Sequence, residues 1–159
     1  MTRARSAERT QFLHDIMSTA IEGGVGYWSI ADDINRSGTE ERREDIYFDW
    51  VYESYTLYCF DGDTDPVTFE KIPGECALST KENPIDRCPG HEVTPETIAR
   101  GLGLGTLSET AGNEKKIGWH YSQRKHVILA NRENDGGEID AGDADCIVQL
   151  GIFGKVLNG

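Results

Sequence analysis

The chain opens on a helical stripe. Phe12, Leu13, Ile16, Met17, Ala20 and Ile21 recur at the three- and four-residue spacing of one helix face. Ser6 or Thr10 is placed to cap its start, Asp15 lies early where the helix dipole favours a carboxylate, and Gly23-Gly24 reads as a left-handed stop. Arg3, Arg5 and Arg9 oppose that dipole, which predicts a frayed arm over residues 1–9. Residues 26–30 read as a short strand. Residues 35–45 carry mixed charge with no apolar period and read as a solvated loop.

From residue 46 the period drops to two. Ile46, Phe48, Trp50, Tyr52, Ser54, Thr56, Tyr58 and Phe60 alternate with Tyr47, Asp49, Val51, Glu53, Tyr55, Leu57 and Cys59. This predicts one long strand, or two broken near Glu53-Ser54. A turn at residues 61–66 and a strand at 67–72 complete a hairpin, and residues 73–93 read as a cysteine-bearing inserted loop. Thr94-Pro95 is a strong helix start, and Gly101, Gly103 and Gly105 predict a short helix. A helix over residues 119–131 carries Tyr121, Arg124, Lys125 and Ile128, and ends at Asn134-Asp135-Gly136-Gly137. Asp140 or Asp143 caps the last helix, whose face includes Ile147, Leu150, Gly151 and Gly154. The expectation is a single α+β domain over residues 1–159: an N-terminal helix, a small antiparallel sheet, then three helices packed on one face.

Charge narrows the function classes. The 159 residues sum to −12, while three Trp, six Tyr and five Phe supply a core. Strong direct binding to nucleic acid needs Lys and Arg against phosphates, so that class is disfavoured. An acidic surface that imitates nucleic acid on a basic partner fits better, beside the plainer reading of charge as solubility. The basic start has no apolar segment behind it, and no stretch reaches the roughly 18 apolar residues of a membrane span. The expectation is a cytoplasmic protein with reduced cysteines and no membrane contact.

Asp61, Asp63 and Asp65 begin like a calcium loop, but Pro66 and Ile72 stand where Gly and Glu are needed, so a turn is the better reading. Cys59, Cys76, Cys88 and His91 are a candidate zinc set, because Cys88-Pro89-Gly90-His91 has a suitable spacer. Only one tight pair is present, and free thiols are the plainer reading, with no cofactor. Gly101-Leu102-Gly103-Leu104-Gly105 follows a helix and not a strand, so close helix packing explains it better than phosphate binding. Phe48, Trp50 and Tyr52 read as core. As an alternative, Trp50 and Tyr52 with Arg100, Arg124, Lys125 and Arg132 would line a nucleotide-like pocket at the subunit interface of a homo-oligomer. Acid pairs such as Asp32-Asp33 read as solvated faces. Ser29, Ser54 and Ser122 lack a nucleophile-elbow context, so no residue is assigned a catalytic role.

The segment from Phe12 to Gly24 with Val25-Gly26-Tyr27-Trp28-Ser29, and the segment from Ala130 to Ala141 with Asp145-Cys146-Ile147-Val148-Gln149 and Phe153-Gly154, resemble the two ends of small accessory proteins of actinobacterial phages. The resemblance covers about a third of the chain and implies a phage or mobile-element origin. The expected function is binding of a host protein with a basic surface, as an anti-defence or nucleic-acid-mimic inhibitor. Glu40, Glu41, Glu44, Asp45, Asp61, Asp63 and Asp65 are the expected acidic contacts; sequestering of a nucleotide-like small molecule is the alternative, and an enzyme acting on nucleotides or nucleic acid ranks last.

Overall fold

The structure, a computed structural model, describes residues 5–37, 51–59, 90–106 and 117–157. Helix α1 spans Ala7–Thr19, and the Ser6 hydroxyl accepts the Arg9 amide as its N-cap. The expected frayed arm is therefore corrected for residues 5–9. Arg9 donates to the Asn131 carbonyl and to Asn134 Oδ1, each at 3.0 Å, and Arg5 pairs with Glu96. Tertiary partners hold these cations despite the unfavourable dipole.

After α1 the backbone widens into a π-helical turn over Ala20–Gly24. Neither Gly23 nor Gly24 takes a positive φ, so the expected left-handed stop is replaced by a close approach. A methyl group on Gly24 would stand 2.6 Å from the Ala141 carbonyl oxygen. Strand β1 covers Ser29–Ser37, later and longer than expected, and takes in part of the segment read as loop.

Strand β2 covers Val51–Cys59 and β3 covers His91–Val93, giving an antiparallel sheet of order β1-β2-β3. His91–Val93 lies inside the segment read as an inserted loop, and pairing with Leu57, Thr56 and Tyr55 makes it a strand. The expected strand at residues 67–72 lies outside the described residues. Near the middle of the β1–β2 ladder the register shifts twice. Asp33 and Ile34 together oppose Tyr55, with Asp33 at φ 50°, and then Glu53 is left unopposed on β2. The two bulges cancel in register but switch which parity faces inward. Tyr52 and then Tyr55 and Leu57 are all buried as a result.

The inner face of the sheet meets α1. The Tyr55 hydroxyl donates to the Met17 carbonyl at 3.0 Å, and His14 Nδ1 lies 2.8 Å from the Tyr52 carbonyl oxygen. Helix α2 spans Pro95–Thr106, running on through all three glycines, so the expected short helix is corrected. Its glycine face meets α4, Ala141–Phe153, at backbone contact distance, because methyl groups on Gly101 or Gly151 would overlap the Ile147 and Thr97 carbonyls. Helix α3, Tyr121–Glu133, starts two residues later than expected because His120 is the cap, its ring accepting the Ser122 amide. Asn134 ends α3 in the left-handed region at φ 55°, and Asp140 with Asp143 forms a reciprocal capping box on α4. The chain is an α+β fold, and its described residues form an N-terminal helix, a three-stranded antiparallel sheet and three further α-helices. No helix among the described residues is long and apolar enough to cross a membrane.

Candidate functional site

The solvent face of the sheet carries an acidic row. Thr56 pairs with Asp32 on one side and Glu92 on the other, so the three side chains share a face. Tyr55 and Leu57 are buried, so this face is the outer one, and Asp32 and Glu92 are exposed. Asp33 projects from the bulge beside it, with the Tyr58 hydroxyl 3.5 Å from its carboxylate, and exposed Glu53 stands on β2. Gly90 closes over Thr56 and Tyr58, where a methyl group would meet both side chains. The expected acidic contacts Glu40, Glu41, Glu44, Asp45, Asp61, Asp63 and Asp65 lie outside the described residues, in the segments that connect β1 to β2 and β2 to β3. The row has no signature in the sequence, because only the pairing of β3 with β2 sets Glu92 across Thr56 from Asp32.

The residues assigned to a nucleotide-like pocket are distributed differently. Trp50 lies outside the described residues, and Tyr52 is buried in the core under α1. Arg124 is fully buried, its guanidinium donating to the Gly105 carbonyl at 2.6 Å and to the Trp119 carbonyl at 3.2 Å. Arg100 donates to the Gly151 carbonyl at 3.0 Å. Lys125 and Arg132 share the exposed side of α3. The structure therefore brings only the last two of these cations together at the surface.

Of the zinc candidates, Cys76 and Cys88 lie outside the described residues, and Cys59 is placed only as the end of β2. His91 is on β3, its ring edge-on to Phe153 at 5.2 Å. Its Nε2 is buried with no hydrogen-bond partner, and burial holds its pKa below the usual histidine value. No group of three His, Cys, Asp or Glu among the described residues is arranged to hold a metal ion.

Two polar arrangements have no signal in the sequence pattern. His126 Nε2 is 2.6 Å from Asp143 Oδ2, joining α3 to the first turn of α4 across 17 positions. Both line an open groove of about 580 Å³ with Trp119, Gln123, Asp140 and Cys146. Burial raises the Asp143 carboxyl, with hydrogen bonds from His126 and the Asp140 amide acting against it. Burial also pushes the Cys146 thiol up to about 12, with Asp145, Asp143 and Asp140 adding to the effect, so it is a poor nucleophile.

The second arrangement is internal. Asp145, 4% exposed, accepts from the Tyr27 hydroxyl at 2.6 Å, Trp28 Nε1 at 2.7 Å and Gln149 Nε2 at 3.0 Å. Gln149 Oε1 then accepts the Leu157 amide at 2.9 Å. The carboxylate is a polar pin that holds the turn before β1, α4 and the chain beyond α4 together. Burial raises its pKa despite those three donors.

No protein-family model, curated protein or solved structure matches the chain.

Proposed function

We propose that this is an accessory protein that acts by binding, with its acidic sheet face and adjoining acidic segments set against a basic surface of a host protein. The observation that carries the reading is the row Asp32–Thr56–Glu92: three strands of a packed sheet hold two exposed carboxylates in register on the outer face. The chain charge of −12 supports it, because a basic groove evolved for nucleic acid attracts such a surface from a distance. The likeness of its ends to phage accessory proteins supports a host partner in defence or nucleic-acid metabolism. Arg124 and Arg100 are committed to backbone carbonyls, which leaves the nucleotide-sequestering alternative with fewer cations.

The test is affinity capture from an actinobacterial lysate on immobilised protein, with graded salt elution and duplex DNA as competitor. The expected partner elutes as salt rises, is displaced by DNA, and is lost with Asp32→Lys/Glu92→Lys. Retention that ignores salt, DNA and charge reversal alike would refute the reading.

A further inference from the structure

The outward side of α3 differs from the rest of this acid-rich chain. Lys125, Leu129 and Arg132 are exposed at helical spacing, with Tyr121 and Ile128 half-buried along one flank. Leu129 is 51% exposed, among the most exposed large apolar side chains described. These residues line an open groove of about 500 Å³. Lys125 and Arg132 form no ion pair among the described residues. Seven positions along a helix separate their charges by roughly 10 Å, with the leucine between them.

We propose that this face docks an acidic amphipathic segment of a partner protein, anchored on Leu129 and paired with Lys125 and Arg132. The inference is independent of the acidic sheet face, being of opposite charge and on a different element. A complementary segment presents carboxylates about two helical turns apart with an apolar residue between them. The leucine gains by burial and the two cations supply orientation.

A second copy of this chain fits less well. Two α3 helices packed antiparallel about Leu129 place like flanks together, so Lys125 of one copy would face Arg132 of the other, cation against cation. The one carboxylate on the other flank of α3 is Glu133, and His126 beside it is bonded to Asp143. A polynucleotide also fits less well. Its phosphates would leave Leu129 and Ile128 without an apolar partner, and a chain of charge −12 repels a long polyanion.

The test uses the full chain and fluorescence anisotropy with a designed helical peptide about fifteen residues long, carrying two Glu seven positions apart around a central Leu. A matched peptide has Lys for Glu, and a single-stranded oligonucleotide is the third probe. The acidic peptide is expected to bind at least about tenfold tighter than the basic one, and to weaken as salt rises. Lys125→Glu/Arg132→Glu and Leu129→Ser should each abolish that preference without moving the melting temperature, since all three side chains are exposed. The proposal is overturned by equal or absent binding of the two peptides, by binding that these variants leave intact, or by tighter binding of the oligonucleotide. A dimer that the double variant dissociates would assign the face to a second copy and overturn it too. None of these results touches the Asp32/Glu92 reading, which charge reversal on the sheet tests separately.

Discussion

A methyl group on Gly101 would overlap the carbonyl oxygen of Ile147, so α2 and α4 are in backbone contact at that point. Gly151 stands in the same relation to Thr97, from the α4 side. Gly101→Ala and Gly151→Ala are each expected to destabilise the fold by about 3 kcal/mol or more, since backbone cannot yield as a flexible side chain does. Gly103 is the control, because nothing lies within 4 Å of a methyl placed there. Gly103→Ala is expected to gain roughly 0.5–1 kcal/mol from helix propensity. Urea midpoints of the three variants check the contrast, and equal losses at 101 and 103 would refute it.

The buried Asp145 carboxyl makes a pH prediction. Its pKa is raised in the folded state, so the folded chain holds that proton more tightly than the unfolded chain does. The stability it contributes is fully present below the ordinary value of 3.8 and is lost as pH rises through the raised one. Asp145→Asn cannot titrate, and it loses one of the acceptors for Tyr27, Trp28 and Gln149. Wild type minus variant stability is therefore expected to grow as pH falls from about 7 towards about 4. Denaturant unfolding across that window measures it, and a difference that shrinks would mean a depressed pKa.

Cys146 should be slow to alkylate. Its thiol is pushed up to about 12, and the thiolate is the reactive form. Iodoacetamide labelling of the native protein at about pH 8, read by peptide mapping, is expected to be at least about a hundredfold slower at Cys146 than after denaturation. Native labelling as fast as in denaturant would show an accessible, ionised thiol.

Arg124 is a structural cation. Arg124→Met keeps much of its length but strips the Gly105 and Trp119 carbonyls of a charged donor inside the core. A loss of about 3 kcal/mol is expected, read as a lowered denaturation midpoint. Lys125→Met, one residue along on the exposed side, is expected to change stability by less than about 0.5 kcal/mol.

The helices were legible because their signals are local. The Phe12 to Ile21 stripe, Thr94-Pro95 and the Asp140 cap need only neighbours three or four positions away. What was hidden depends on partners distant in sequence. The propensity cost of Gly101 stops a helix in isolation, but here α4 needs a surface without side chains and keeps α2 going. Gly24 looked like a stop for the same reason, and its meaning lies in Ala141. The alternation in β2 was visible, as was a break near Glu53. That the break is a bulge answered by a second one at Asp33 follows only from the pairing. Among candidate site residues, Arg124 and Lys125 are adjacent and chemically alike, and helical phase puts one in the core and the other in water.

The paired bulges make Asp33 and Glu53 behave like a frameshift and its suppressor. Deleting either residue alone leaves the strands unequal in length between the pairs Asp32–Thr56 and Arg36–Tyr52, so that the surviving bulge must take up the odd residue to keep the same sides inward. Deleting both keeps the pairs Asp32 with Thr56, Asn35 with Ser54 and Arg36 with Tyr52, and restores an unbroken ladder. Each lesion is thus the remedy for the other.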